Sequence, residues 1–315
     1  MNLEKYIPQY KPGADINFDY QFTVFVPIYN RAETLHRVFN SMNAQTYRNF
    51  EVVIINDGST DSSDETIKKF IKECTFEVVY VNNLVNKHKL GCIVEAVKIA
   101  RGEFFLILDS DDECTPDALE VLLGEYDSIP ADLKKNISGV TCCCIDQNGK
   151  LVGDLFPEDP FYNNSFEKKV YFDIKGEKWG FNKTSILKSI HIDNDVFGKG
   201  LIPESYIWFL ISKEDFITKY VNKNLRIYHI DSNISLSNLG YEKKAFGMAV
   251  FALAFMNWFH EKHFNKAKKA FLMRLYSLLK ASSYLEYKLM DYTGAIHNNT
   301  LKSMFVILWP FRKLL

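Results

Sequence analysis

The stretch Phe104-Phe105-Leu106-Ile107-Leu108-Asp109-Ser110-Asp111-Asp112-Glu113 runs an apolar segment directly into four acidic side chains within five residues. Carboxylates crowded at the end of a buried strand repel one another unless a cation holds them. In a locally extended chain Asp109 and Asp111 point to the same side, so the pair can share one hard, oxygen-seeking ion such as Mn²⁺ or Mg²⁺. Magnesium takes one or two protein carboxylates and completes its sphere with water and phosphate oxygens, which a diphosphate would supply. An isolated Asp-x-Asp is more often an acidic turn that caps the next helix. Here the surroundings decide its weight.

Upstream, β-rich runs alternate with helical patterns from residue 22 to 126, the signature of βαβ units and a mostly parallel sheet. Strands are expected at Phe22 to Ile28, Phe50 to Ile55, Glu77 to Val81 and Glu103 to Leu108. Each is apolar nearly throughout, as a strand covered by helices on both faces must be. Helices are expected to start near Arg31, Ser62, Leu90 and Thr115, the last with a Thr-Pro start. In such α/β sheets, ligands bind beyond the carboxyl ends of the strands. Two more polar clusters fall there. Val26-Pro27-Ile28-Tyr29-Asn30-Arg31 ends the first strand, with Pro27 breaking the ladder and Tyr29 offering an aromatic face to a base. Ile54-Ile55-Asn56-Asp57-Gly58-Ser59-Thr60-Asp61 ends the second, where Gly58 permits a tight turn and Asp57 can accept hydrogen bonds from a nucleobase N–H or ribose hydroxyls. Singly each is a plain turn; three at successive strand ends make a pocket.

Val-Pro-Ile-Tyr-Asn-Arg, Val-Ile-Ile-Asn-Asp-Gly-Ser-Thr-Asp and Leu-Asp-Ser-Asp-Asp, in this order and spacing, resemble the family-2 glycosyltransferases of the GT-A fold, bacterial cell-surface polysaccharide type. The resemblance implies an inverting transferase on a Rossmann-like nucleotide-diphospho-sugar fold, with a UDP-sugar as donor. It implies that Pro27, Tyr29, Asn30, Glu33, Asp57, Asp109 and Ser110 border the donor nucleotide, and that Asp111, with Asp109, holds the metal. The loop Asn86 to Gly91 follows the family pattern loosely. A family base, normally in a Glu-Asp pair, falls at Ile202-Pro203-Glu204-Ser205-Tyr206-Ile207-Trp208; Ser205 stands where the Asp is usual, so Glu204 either is the candidate base or only orients the acceptor while another acid acts, with capping of the helix as its plain alternative role. Gly176-Glu177-Lys178-Trp179 and Leu225-Arg226-Ile227-Tyr228 extend the likeness to about residue 238. Lys178 or Arg226 could neutralise diphosphate, against an ordinary structural role; for His229 packing is favoured over metal ligation.

The charge balance, 38 Lys and Arg against 39 Asp and Glu, gives no reason to expect nucleic acid. Six cysteines without a CxxC pair read as reduced, and Met1 to Lys11 lacks the apolar core of a secretory signal, so a cytoplasmic location is expected. The longest apolar stretch, Phe246 to Phe259, falls short of the ~20 residues that span a bilayer. The expected organisation is an N-terminal arm (1–21), a catalytic domain (22–240, donor half 22–126 and acceptor half 127–240) and a helical C-terminal extension (241–315). Further strands are expected at Gly139 to Ile145, Val170 to Ile174 and Asn224 to Ile230. In the extension, Phe251, Phe255, Trp258 and Phe259 recur at helical spacing beside lysines, followed by an apolar-basic tail at 301–315. These segments either lie on the inner face of the plasma membrane, near a lipid-linked or glycan acceptor, or pack on the domain or in a homodimer. A nucleotidyltransferase would carry a Gly-rich phosphate loop after the first strand, and Val26 to Arg31 has none. A regulatory or scaffold protein that binds nucleotide-sugar without transfer is the competing reading, supported by Ser205 alone.

Overall fold

The computed structural model describes residues 3–13, 16–230 and 240–315. Two compact units emerge: Pro12–Ser189 with Asp215–Asn233, and Met1–Lys11 with Ile190–Glu214 and Ile234–Leu315. Along the chain the strands are β1 (Gln9–Tyr10), β2 (Tyr20–Ile28), β3 (Phe50–Asp57), β4 (Glu77–Asn83), β5 (Gly102–Ile107), β6 (Glu113–Cys114), β7 (Ile137–Asp146), β8 (Phe161–Asn163), β9 (Lys178–Lys183), β10 (Ile190–His191) and β11 (Ile217–Tyr228). The helices are α1 (Leu35–Asn43), α2 (Ser63–Glu73), α3 (His88–Ile99), α4 (Ala118–Asp127), α5 (Ala131–Lys134), α6 (Ser165–Val170), α7 (Thr184–Lys188), α8 (Ser205–Lys213), α9 (Tyr241–His263), α10 (Lys268–Ser282), α11 (Leu289–Ala295) and α12 (Asn299–Leu308), followed by a 3₁₀ turn at Trp309–Leu314.

The first unit is an α/β sheet in the order β4-β3-β2-β5-β9-β7-β11-β6, with β8 paired to β11. β4, β3, β2 and β5 run parallel, as do β7 and β11, whereas β9 enters antiparallel between β5 and β7. The parallel half follows from sequence: every residue of β3 is buried, and helices supply the crossovers. The β2–β5 ladder closes at Phe25 opposite Ile107, two residues before Pro27, which has no N–H to give. One core cluster runs from Phe22, Val24 and Val26 through Phe104 and Leu106 to Phe181 and Val221.

Some expected elements differ, and one strand was not expected. Val170 to Ile174 is not a strand, because Asn164 caps α6 by accepting the Glu167 N–H, and α6 carries the chain through Val170. The helix expected from Thr115 starts at Ala118 instead, because the Thr115 N–H donates to the Leu225 carbonyl beside the β6–β11 pair. The β9 strand carries no strand signal in its sequence: the mixed run Lys-Trp-Gly-Phe-Asn-Lys alternates in burial only because it is wedged between two neighbours.

The second unit is helical. A two-residue ladder joins β1 to β10. The aromatic residues expected on one face of α9 pack inside this unit: Phe251, Phe255 and Phe259 are buried and meet Phe209 of α8 with ring centroids 5.5, 5.7 and 6.0 Å away. The Leu201–Ile202 backbone presses so closely on α9 that a Cβ at Gly247 would lie 2.0 Å from the Leu201 carbonyl oxygen. The chain limits 21 and 240 expected from composition do not coincide with these units, since Ile190–Glu214 packs with the C-terminal helices. The expected end of the acceptor half runs through 231–239, outside the described residues, as do 1–2 and 14–15 of the arm. All six cysteines are free thiols, and among the described residues no helix is long and apolar enough to cross a membrane.

Lys168 on α6 is a titration probe of the first unit. Burial, with Lys178 and Lys169 nearby, lowers its ammonium from 10.5 to about 8, and the ammonium lies 5.3 Å from the Tyr220 ring. Between these two pH values the unfolded chain holds more protons than the folded one, so stability rises with pH across that window. Lys168→Met is therefore expected to raise Tm at pH 7, with the gain over the wild type shrinking as pH climbs from about 8 towards 10.5; calorimetry across pH checks it.

Candidate active site

Three turns meet at the carboxyl ends of β2, β3 and β5, neighbours in the sheet in the order β3-β2-β5. After β2, Tyr29 is 47% exposed and Asn30 adopts a left-handed φ of 53°. The Asn30 side-chain oxygen accepts the Thr60 N–H at 2.8 Å, and its own N–H donates to the Ser59 hydroxyl at 2.9 Å. The first turn is thereby stitched to the second. Asp61 binds the same join, accepting the Ala32 and Ser63 N–H groups at 3.1 and 3.0 Å. Glu33 is exposed beside this turn.

After β3, Asp57 is buried and accepts the Lys87 N–H at 2.9 Å. Gly58 turns the chain at φ 74°, and a Cβ there would crowd the Asn86 nitrogen at 3.3 Å. Burial, then Asp57, pushes the neighbouring Cys92 thiol far above its ordinary range, so it stays protonated. Two residues beyond Lys87, the Lys89 ammonium sits 2.5 Å from Asp109. The start of α3 therefore ties the carboxylate ending β3 to the one following β5.

After β5, Asp109, Ser110, Asp111 and Asp112 form a compact turn in which the Asp112 N–H donates to the Asp109 carbonyl at 3.1 Å. Ser110 is buried, and its carbonyl accepts the Thr34 hydroxyl at 3.2 Å. Arg226, 5% exposed, reaches from β11 to donate to Asp109 at 2.7 Å and through both Nε and a terminal nitrogen to Asp112. Asp112 also accepts the His229 N–H at 2.8 Å. Burial pushes the Asp112 carboxyl up to about 6 against the pull of Arg226, which leaves it ionised at neutral pH. Burial acts the same way on Asp109, but Lys89 and Arg226 outweigh it and hold that carboxyl well below the usual range. Asp111 faces Arg31, whose Nε is 3.5 Å away, and its backbone carbonyl accepts from Arg37 at 3.2 Å.

Pro27 and Asp57, in the last residues of β2 and β3, and Tyr29, Asn30, Asp109, Ser110 and Asp111, on the turns after β2 and β5, thus lie at three strand ends joined by direct bonds. Among the described residues no group of three or more His, Cys, Asp or Glu side chains is arranged to hold a metal. The donors available to a cation are the Asp109 and Asp111 carboxylates. Their chemistry fits Mg²⁺ or Mn²⁺, which need only one or two such ligands beside phosphate, and three cationic side chains already converge on the pair. The other sequence candidates have definite places. Lys178 donates to the Lys175 and Glu177 carbonyls at 2.9 and 3.3 Å, and His229 pairs with Glu113 at 2.8 Å. Glu204 is the N-cap residue of α8 in the second unit, and its side chain makes no capping hydrogen bond. Lys89, Arg31 and Asp112 were not singled out beforehand. A cation two residues after the Asn86-Lys87 turn was the available signal, hidden by the loop's loose fit to the family pattern.

The sheet and these turns define a GT-A-like nucleotide-sugar transferase fold. Residues 23–171 match the family model Glycosyl transferase family 2; they form a domain of that family, and the protein carrying it is a glycosyltransferase. Relatives include GalNAc(5)-diNAcBac-PP-undecaprenol beta-1,3-glucosyltransferase of Campylobacter jejuni, 25% identical over 72% of this chain and 70% of that protein. Abequosyltransferase RfbV of Salmonella typhimurium is 26% identical over 78% of this chain and 77% of its own. Among solved structures, S. aureus TarS 1-349 in complex with UDP-GlcNAc superposes with a TM-score of 0.58 at 20% identity, over 93% of this chain and 86% of that one.

Arg226→Met leaves Asp109 and Asp112 without their shared buried cation. The expected loss of stability is about 3 to 5 kcal/mol, read by urea unfolding with unchanged slope.

Proposed function

We propose that the protein transfers a sugar, with inversion, from a UDP-sugar to a hydroxyl of a glycan or lipid-linked acceptor in the synthesis of cell-surface polysaccharide or glycolipid. The observation that supports this most is that Asp57, Asp109 and Asp111, at the ends of the parallel strands β3 and β5 on either side of β2, are tied together through Lys87 and Lys89 of the α3 start and through Arg31, at the place where such sheets bind nucleotides. The relative named for a PP-undecaprenol substrate supports a lipid-linked acceptor, and the fold neighbour solved with UDP-GlcNAc supports a UDP-sugar.

In this reading Tyr29 stacks on the base, while Asp57, held by the Lys87 N–H, accepts from it. Pro27, Asn30, Glu33 and Ser110 border the nucleotide. Asp111, with Asp109, holds a divalent ion, Mn²⁺ or Mg²⁺, which offsets charge on the departing diphosphate. Lys89 and Arg31 stand beside those carboxylates and add positive charge where phosphate oxygens would lie. Glu204 takes the proton from the acceptor hydroxyl as general base.

The test is nucleoside diphosphate release from UDP-, GDP- and dTDP-sugars with Mn²⁺ or Mg²⁺. Asp111→Ala is expected to cut turnover of the preferred donor by about a hundredfold or more. Glu204→Gln is expected to abolish transfer to acceptor while leaving donor binding by calorimetry unchanged. Metal-dependent donor binding with no turnover on any acceptor would favour a nucleotide-sugar-binding protein. Lys89→Met, which removes a cation competing for Asp109, is expected to tighten Mn²⁺ binding roughly tenfold in the absence of nucleotide, read by electron paramagnetic resonance.

A further inference from the structure

The C-terminal unit spends its most obvious aromatic stripe on itself. Phe251, Phe255 and Phe259 are buried in it. A different set of apolar residues remains outside. In α12 and the 3₁₀ turn after it, Leu301 and Phe305 face inward, with Phe305, Trp309 and Tyr292 in mutual ring contact at 5.4 to 5.5 Å. The opposite face presents Val306, Ile307, Phe311 and Leu314, which are 43, 68, 57 and 82% exposed. Ile307, Phe311 and Leu314 recur at intervals of four and three residues, with Val306 beside Ile307, so an apolar strip faces solvent.

Helix α10, which packs against both α12 and the 3₁₀ turn, does the same. Leu272, Met273 and Tyr276 are 45, 61 and 49% exposed on one face. Lys269 and Lys280 lie on that face at either end, at i−3 from Leu272 and i+4 from Tyr276. Lys302 on α12 and Lys313 in the following turn flank the strip, and Arg312 stacks on Trp309 with its guanidinium 3.9 Å from the ring. Residues 264–315 hold nine Lys and Arg against Glu286 and Asp291, in a chain whose formal charge is only −1. An exposed apolar strip is an interaction surface, and a basic rim around it selects an anionic, deformable partner.

We propose that this face, built from α10, α12 and the turn Trp309–Leu314, docks on an anionic lipid bilayer in the plane of its interface. Ile307, Phe311, Leu314 and Met273 enter the acyl boundary while Lys269, Lys280, Lys302 and Lys313 meet the lipid phosphates. The proposal does not depend on the donor or the metal. It deepens the lipid-linked acceptor reading by naming the surface through which the enzyme reaches such a substrate.

Full-length protein is mixed with vesicles of phosphatidylcholine alone or with 30% phosphatidylglycerol (about 3:7, an ordinary anionic composition), and pelleting is measured against salt. Binding to the anionic vesicles, weakened by salt, is the expected result. Ile307→Ser with Phe311→Ser is expected to lower partitioning at least tenfold, and Lys302→Gln with Lys313→Gln about fivefold per charge removed. Both pairs lie on the solvent face, and an unchanged thermal melt confirms that each variant is folded. Equal partitioning of wild type and variants would overturn the proposal, as would no binding to anionic vesicles. A stable dimer in light scattering, dissociated by Ile307→Ser with Phe311→Ser, would assign the strip to a second copy and overturn it as well. Donor turnover measured in the same samples keeps a failure of the transferase reading apart from a failure of this one.

Discussion

The buried Arg226 is the constraint on which the site depends. It arrives on β11, a strand more than a hundred residues downstream of the acidic turn, and binds Asp109 and Asp112 together. Without that guanidinium, the turn would either hold two mutually repelling carboxylates or be pushed by burial to protonate Asp112. With it, Asp109 stays charged, Asp112 is fully bonded, and the Asp111 between them is left pointing at Arg31. The guanidinium suits this task better than an ammonium, because its planar fork donates to two carboxylates at once.

From that fixed turn the other two are reached through single bonds. Lys89 runs from Asp109 into the start of α3, where the Lys87 N–H holds Asp57. Arg31 and Thr34 run from Asp111 and Ser110 to the turn after β2, which Asn30 and Asp61 lock to the turn after β3. The result is a closed circuit of charge-assisted and backbone bonds around the sheet edge. Preorganisation of this kind lets a site stabilise developing charge without rearranging at the moment of reaction. In the proposed reading, a divalent ion would share this pair of carboxylates with the cationic side chains, because each would neutralise the same excess of negative charge.

The C-terminal helices illustrate a different division of labour. A long aromatic helix is an ambiguous object, since the same residues can build a core or meet a membrane. Here α9 is consumed by the packing of α8 and α10, down to a glycine at 247 that admits the Leu201 carbonyl. The shorter and less conspicuous α12 keeps an apolar face outside. The most conspicuous apolar stripe was therefore a poor guide to where an exposed apolar face would lie, because the most apolar segment is the first to be buried.

The sequence by itself determined the parallel half of the sheet, the three strand-end turns and the placement of Asp57, Asp109 and Asp111 in them. Those features are local: an apolar run fixes a buried strand, and Gly, Asn and Asp fix the turn that follows. Only the tertiary structure decided the rest. That β9 is a strand, that Val170 lies in a helix and that α4 begins at Ala118 follow from partners supplied by distant segments. That Arg226 serves Asp109 and Asp112, that Lys178 and His229 are engaged elsewhere, and that Phe251 is core while Ile307 is surface are likewise decided by long-range contacts. Local propensity and motif spacing constrain a chain over a few residues, whereas ion pairs and burial are properties of segments a hundred residues apart that only the completed fold brings together.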